Sequence, residues 1–168
     1  MKSVTIRQAT HADIAVLLAI YNYEIEHGVA TFDTEPKTWE ERKVWLEAHN
    51  RPNCNHPLLV AVINGATVGY ASLSTYNAKA AYNSPVELSV YVSPAARGKG
   101  VGAALMEAII EEARRDDRTH LIISLITGTN EVSVALHKKF GFTFVGTMHE
   151  VGYKHGRYLD VHTYELKV

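Results

Sequence analysis

The chain has 168 residues, of which 46% are hydrophobic and 21% charged, a composition typical of one ordinary globular domain spanning residues 1–168. Lys and Arg number 17 against 18 Asp and Glu, so a net charge of −1 provides no global basic field for nucleic acid or an anionic membrane surface. The lone cysteine, Cys54, excludes an internal disulfide and a Cys-rich zinc site, and it favours a reducing, cytoplasmic location.

The first third of the chain is predicted to form a strand and two helices. The N-terminal segment alternates polar and apolar residues through 4–6, which indicates a short strand rather than the apolar core of a signal peptide. A capping box precedes an apolar stripe of helical period over 14–25. Thr38 and Glu41 repeat the capping-box spacing before the apolar residues 44–46, so a second helix is expected there.

The middle of the chain is predicted to form a hairpin and a third strand. The apolar segments 58–63 and 68–73 flank Asn64-Gly65, the dipeptide most typical of a two-residue hairpin turn. Residues 86–92 alternate, so that one face of the third strand is apolar and the other is mixed. Pro94 is expected to end this strand.

The last third is predicted to complete a mixed sheet. Asn130 can cap a helix that Gly141 closes. Helices are expected at 101–113 and 132–140, and strands at 121–126, 142–148 and 157–166. The order β-α-α-β-β-β-α-β-α-β-β indicates an α/β (α+β) fold with about seven strands and helices on both faces, too antiparallel at its start for a doubly wound fold. No stretch reaches the ~18 apolar residues of a membrane span.

The strongest chemical signal is a glycine loop between the third strand and the third helix, with the sequence Arg97-Gly98-Lys99-Gly100-Val101-Gly102. Its glycines leave backbone N–H groups uncovered, and the helix N-terminus adds partial positive charge, so a phosphate can approach closely. The alternative interpretation is a surface loop whose glycines only turn the chain.

Two common phosphate-binding classes fit this loop poorly. A Walker A loop needs Ser or Thr after its lysine, whereas Gly100 follows Lys99. The dinucleotide fingerprint is met by Gly98, Gly100 and Ala103, but residues 121–129 contain no acidic partner for a ribose. A Rossmann dehydrogenase therefore remains only as the alternative.

The loop resembles the R/Q-x-x-G-x-G/A motif of the GNAT acetyltransferases, which holds the pyrophosphate of acetyl-CoA. A second motif of that superfamily is matched by Asn130-x-x-Ser133-x-x-Leu136-His137-x-x-x-Gly141-Phe142. Thr34-Glu35-Pro36, the strand 86–92 and Tyr153-Lys154-His155-Gly156 resemble the phosphinothricin and methionine sulfoximine acetyltransferase branch. The resemblance runs from Ile6 to Leu166 and implies the GNAT fold, acetyl-CoA as co-substrate, a small amine as acceptor and a homodimer.

The resemblance implies roles for residues around this loop. Glu87 corresponds to the proposed catalytic base of the branch, although a solvated residue on the outer face of the strand would look the same. His137 stands where many GNAT enzymes place a tyrosine acid, and it could protonate the thiolate or only contact the cofactor. The residues expected to bind acetyl-CoA are Val90, Tyr91 and Val92 through main chain, together with Arg97, Gly98, Lys99, Gly100, Val101, Gly102, Asn130 and Ser133.

The amine pocket is expected to use residues from three segments. They are Phe32, Tyr76, Asn77, Lys79, Tyr82, Glu87, Tyr153 and His155. Asn77 or Lys79 stands where relatives carry arginine, and lysine for arginine loses bidentate geometry toward a phosphinate, sulfone or carboxylate. The chain has nine histidines but no H-E-x-x-H or close H-x-H cluster, so no metal site is expected.

Two other functions remain compatible with the sequence. The chain could acetylate another amine, such as a polyamine or a protein N-terminus, or it could bind acetyl-CoA as a sensor without turnover. A carboxylate at Glu87 favours an enzyme over a sensor.

Overall fold

The computed structural model of the protein describes residues 3–168, so Met1 and Lys2 of the alternating N-terminal segment lie outside the described residues. The strands are β1 Thr5–Gln8, β2 Leu58–Ile63, β3 Ala66–Thr75, β4 Pro85–Val92, β5 Leu121–Thr127, β6 Thr143–Lys154 and β7 Arg157–Lys167. The α-helices are α1 Ile14–His27, α2 Trp39–Glu47, α3 Val101–Arg115 and α4 Glu131–Lys139. Their order along the chain is the predicted one.

Local sequence signals explain where these elements begin and end. The Thr38 hydroxyl accepts a hydrogen bond from the Glu41 amide at 3.2 Å, and the Glu41 carboxylate accepts from the Thr38 amide at 2.7 Å, so the capping box starts α2 as predicted. Asn64 and Gly65 both have positive φ, 51° and 79°, as a two-residue turn between β2 and β3 requires. The predicted Asn130 cap is also confirmed, because its side chain accepts from the Ser133 amide.

Two details differ from the sequence prediction. Short 3₁₀ turns at 11–13, 80–82 and 94–96 were not expected. The first of these carries the Thr10 capping box, and α1 follows it from Ile14, where the predicted apolar stripe begins. β6 extends well beyond the predicted 142–148, because an irregular register between Met148 and Gly152 carries the pairing with β7 past a break in the apolar alternation.

The strands form one mixed sheet in the order β1-β2-β3-β4-β5-β7-β6, in which β4 and β5 are the parallel neighbours and the other pairs are antiparallel. Alternate residues of β2 and β3 belong to two apolar clusters. Leu59 and Leu73 pack with α3, whereas Leu58 and Tyr70 pack with α1 and α2. Helices therefore cover both faces of the sheet, and the central strands between them carry the candidate active site.

No helix in residues 3–168 is both long enough and apolar enough to cross a membrane.

Candidate active site

A cleft opens where β4 and β5 diverge. Within the described residues, the two strands pair from Pro85↔Leu121 to Glu87↔Ile123 and not beyond. On its other side β4 stays paired with β3 as far as Val92, and β5 stays paired with β7 through Thr127. The edge of β4 that faces β5 beyond Glu87 therefore offers backbone N–H and C=O groups to a ligand.

The glycine loop lies at the end of this cleft, between β4 and α3. Gly98 and Gly100 have φ of 72° and 78°, and a Cβ at either position would meet no atom within 4 Å. Glycine suits these two positions because their φ is positive, not because a side chain would clash with a neighbour. The space beside them leaves the loop open to an anion. Gly102 is already helical, where an added Cβ would make an ordinary contact of 3.5 Å with Leu136.

The two cations of the loop are engaged by the protein itself. Arg97 forms an ion pair with Glu24 of α1, which is 7% exposed, and its Nε donates to the Val92 carbonyl at 3.1 Å. The Lys99 ammonium donates to the Ala95 carbonyl at 2.6 Å. Arg97 therefore ties the loop to α1 and to the end of β4, a positioning contact that the sequence did not reveal.

Glu87 is half-buried at the last position where β4 pairs with β5. On the other side of β4 it lies directly across from Ser74 of β3. Burial raises the pKa of the Glu87 carboxyl above its ordinary value, because desolvation penalises the charged form. A carboxylate with a raised pKa is a stronger base. Its position, between the open edge of β4 and the face covered by α1 and α2, is that expected of a group that deprotonates an entering amine.

Ser74, opposite Glu87, is held by a histidine. His49 Nδ1 lies 2.7 Å from the Trp45 carbonyl, which can only accept, so Nδ1 carries the hydrogen in this contact. The other ring nitrogen lies 3.0 Å from the Ser74 hydroxyl. Burial lowers the pKa of His49, which favours the neutral ring, and the Ser74 hydroxyl then donates to Nε2.

His137 is buried in α4, with 5% of its surface exposed. Its Nδ1 lies 2.7 Å from the Ser133 carbonyl, so Nε2 is the nitrogen that remains for another partner. Burial lowers the pKa of His137, partly opposed by that hydrogen bond, and this disfavours the imidazolium that acid catalysis would use. The Ser133 amide is meanwhile occupied by the Asn130 cap.

The residues predicted to bind the amine lie in three separate places. Asn77, Lys79 and Tyr82 belong to the exposed connection before β4, where the Asn77 side chain accepts from the Lys79 amide and Tyr76 packs edge-on against Tyr82. Tyr153 packs against Tyr158, and His155 lies 2.9 Å from the Gly28 carbonyl. Phe32 covers Gly152, where a Cβ would clash with its ring.

A polar cavity on the α1–α2 face of the sheet is lined by none of the side chains predicted to bind the amine, although it is lined by Tyr91, which was predicted to bind acetyl-CoA through its main chain. The sequence did not reveal this cavity. Its principal cation is Arg42, one of several charged residues in the short helix α2. The sequence feature that could have identified it is its position four residues before Leu46, because residues at that spacing lie on the same face of a helix and Leu46 is buried.

Within residues 3–168, no group of three or more His, Cys, Asp or Glu side chains is arranged to hold a metal ion.

Residues 6–163 match the acetyltransferase (GNAT) domain family. The chain belongs to the GNAT acetyltransferase family. It is 40% identical over 166 residues to the phosphinothricin N-acetyltransferase of Streptomyces coelicolor, covering 96% of this chain and 95% of the relative. It is 38% identical to the L-methionine sulfoximine/L-methionine sulfone acetyltransferase of Salmonella typhimurium, covering 98% and 95%.

The GNAT fold is also shown by solved structures. A GNAT phosphinothricin acetyltransferase from Sinorhizobium meliloti, in complex with acetyl-CoA, superimposes with a TM-score of 0.92 at 34% identity, covering 98% of this chain and 88% of that one. The protein is thus an N-acetyltransferase that uses acetyl-CoA. Its open β4 edge suits a strand-like ligand, and its glycine loop suits a pyrophosphate, so the residues present fit this co-substrate.

Proposed function

We propose that this GNAT enzyme acetylates the amino group of small amino-acid-like substrates of the phosphinothricin, methionine sulfone and methionine sulfoximine class, by direct transfer in a ternary complex. The activities named for its relatives support this substrate class. The observation that carries the proposal is the position of Glu87, where the paired part of β4 and β5 ends beside the polar cavity. Acetyl-CoA supplies the acetyl group as a thioester.

Glu87 acts as the base in this proposal. An ammonium must lose a proton before its nitrogen can attack, and the raised pKa of Glu87 strengthens the carboxylate as the acceptor of that proton. The main chain of Val90, Tyr91 and Val92 lies on the open edge, where an N–H can donate to the thioester carbonyl as negative charge develops.

The remaining predicted residues hold the co-substrate and the amine. Lys99 and the N–H groups of 98–102 face the pyrophosphate, and Arg97 keeps the loop in place through Glu24. Asn130, Ser133 and His137 contact the cofactor from α4. Phe32, Tyr76, Asn77, Lys79, Tyr82, Tyr153 and His155 form the outer part of the amine site.

A thiol-release assay tests this function with purified protein and acetyl-CoA. The acceptors are phosphinothricin, methionine sulfone and methionine sulfoximine, with a polyamine and a peptide as comparisons. Saturable release with the first three is expected. Release only with another amine would replace the substrate, whereas acetyl-CoA binding without release on every acceptor would indicate a sensor.

We propose further that the chain is a single domain, acts in the cytoplasm and forms a homodimer. The lone Cys54 is a free thiol, in keeping with a reducing compartment. Exposed apolar side chains on the edge strand β6, among them Phe144, Val145 and Val151, support a partner on that side. Light scattering after size-exclusion chromatography tests the dimer.

A further inference from the structure

The α1–α2 face of the sheet contains a polar cavity of about 270 Å³. The side chains that line it come from α1, α2, β3, β4 and the segment between the two helices: Tyr21, Asp33, Lys37, Glu41, Arg42, Trp45, Tyr70, Ser72, Ser74, Ser89 and Tyr91. A cavity of this size and polarity suits a small polar ligand rather than an apolar one.

Arg42 is the unusual residue in this cavity. It is only 4% exposed, and among residues 3–168 its Nε has no hydrogen-bond partner. The guanidinium carbon lies over two aromatic rings, 4.2 Å from the Tyr21 centroid and 4.3 Å from the Trp45 centroid. In the part of the chain that the structure describes, Arg42 forms no ion pair. A buried cation without a carboxylate is costly unless an anion joins it.

The other charged groups of the cavity already have partners within the protein. Asp33 accepts a hydrogen bond from the Tyr21 hydroxyl at 2.6 Å and pairs with the Lys37 ammonium at 3.4 Å. The Glu41 carboxylate is used in the cap of α2. The positive charge left for a ligand is therefore that of Arg42.

Neutral donors stand beside this cation. In the described part of the chain the buried Tyr70 hydroxyl has no hydrogen-bond partner, and Ser72 and Ser89 add hydroxyls from paired positions of β3 and β4. Contact with two aromatic rings restrains the guanidinium before a ligand arrives. Such a set of donors matches an oxygen anion.

The register of the strands places this donor set close to the proposed base. Ser72↔Ser89 is two residues along from Ser74↔Glu87, which is about 7 Å at the usual strand rise. That spacing matches an amino acid whose amine lies at Glu87 while an oxyanion of the same molecule points away along the sheet.

We propose that Arg42 determines amino-acid specificity by binding an oxyanion or strongly polar oxygen of the substrate, with Tyr70 and the serines as additional donors. This inference rests on the proposed function and deepens it. The shared chemistry is an oxygen acceptor, from either the α-carboxylate or the side-chain phosphinyl or sulfonyl group. Arg42 thus supplies the guanidinium that the exposed Asn77 and Lys79 do not.

Calorimetric titration of the full-length protein, with CoA present, tests the assignment. Arg42→Met is expected to weaken methionine sulfone binding by about 30-fold or more, as truncating a buried charged partner does. Arg42→Lys, which keeps the charge but not the bidentate fork, is expected to lose less. Lys43→Gln is the matched control, because it removes the neighbouring cation of α2, which lies outside the lining of the cavity.

Three ligands distinguish the two sources of oxygen: methionine sulfone, its decarboxylated amine and methionine. A loss with methionine sulfone and methionine, but not with the amine, assigns the carboxylate to Arg42. A loss with methionine sulfone and the amine, but not with methionine, assigns the sulfone. Equal affinities in Arg42→Met and wild type for all three would overturn the inference, as would an equal loss in Lys43→Gln.

Failure of this inference is distinguishable from failure of the proposed function. If the wild-type protein binds and acetylates none of these amino acids, the proposed function and the inference both fail. If wild type acetylates methionine sulfone and Arg42→Met does so with the same KM, only the inference fails. Acetyl-CoA affinity and a thermal melt of each variant establish that the fold is intact.

Discussion

The two faces of β4 differ sharply although their residues alternate along one strand. Val86 and Leu88 point to the α3 side and are buried in the larger apolar cluster. Glu87, Ser89 and Tyr91 point to the other side, where α1 and α2 leave a polar cavity. One face stabilises the sheet, and the other presents chemistry to a ligand.

The candidate active site therefore lies at the boundary of an apolar core and is not formed by a loop alone. The apolar face fixes β4 against α3, so the edge that diverges from β5 keeps its position. The polar face can then carry unpartnered groups, such as Arg42 Nε and the Tyr70 hydroxyl, without being the source of stability.

The largest effect is expected from removing Glu87, the proposed base on the polar face. Glu87→Gln should lower kcat by about 100-fold to 10,000-fold, the usual contribution of general base catalysis, while the KM for acetyl-CoA stays nearly constant. In wild type the rate should fall as the pH drops through the raised pKa of Glu87, because protonation removes the base. Steady-state kinetics across pH measures both effects.

Glu112→Gln provides a carboxylate control on the α3 side, where the glutamate pairs with Arg115 at the surface. Near-wild-type turnover in Glu87→Gln would show that Glu87 is not the base. The two faces of β4 would then differ only in polarity.

The apolar face is tested by Leu105→Ala in α3. Leu105 is fully buried, so the truncation should cost about 2–5 kcal/mol of unfolding free energy through lost burial and a cavity. Urea denaturation measures this cost. Ser72→Ala, on the polar face, removes a single oxygen atom and leaves no large cavity, so it should cost much less unfolding free energy than Leu105→Ala. A reversed ranking of these two variants would contradict the division of roles.

A fully partnered carboxylate on the α1 side gives a pH test of stability. Asp13 accepts hydrogen bonds from Arg7, the Thr10 amide and the Thr67 hydroxyl. Although burial alone would raise it, these bonds hold the pKa of Asp13 at about 2, below the ordinary 3.8. The lowered pKa corresponds to about 2 kcal/mol of stability that is present above about pH 4 and is lost as pH falls through 2.

Acid unfolding of Asp13→Asn should show less pH dependence in that window, and the variant should be less stable at neutral pH. The control is Asp117→Asn, which changes an exposed carboxylate. If wild type and Asp13→Asn lose stability in parallel between pH 4 and pH 2, the hydrogen bonds from Arg7, Thr10 and Thr67 do not stabilise the ionised form.

The smallest expected effect is in the glycine loop. Gly100→Ala should cost about 1 kcal/mol through its positive φ and should also raise the KM for acetyl-CoA. Gly65→Ala is closely matched, because Gly65 has φ of 79° and equally open space but lies in the β2–β3 turn. Both variants should show a similar fall in Tm. A matching rise in KM in Gly65→Ala would indicate strain rather than loss of the phosphate site.

Much of the fold could be predicted from the sequence because its signals are local. The Thr38 box, the Asn64-Gly65 turn and the Asn130 cap each act within a few residues. Glycine spacing identified the loop, and alternation placed Glu87 on the mixed face of its strand. The far end of β6 could not be predicted, since its irregular pairing depends on β7 rather than on its own pattern.

Neighbouring residues were enough to predict the order of the elements, the glycine loop and a carboxylate on a central strand, because periodicity and turn chemistry act over short distances in the chain. Folding brings about three features that no local pattern predicts: β4 and β5 diverge after Glu87, Arg97 pairs with Glu24, and Arg42 lies in a cavity without an ion-pair partner among residues 3–168. Each of these depends on segments that meet only in the folded protein, because packing sets the burial and the charge environment of a side chain.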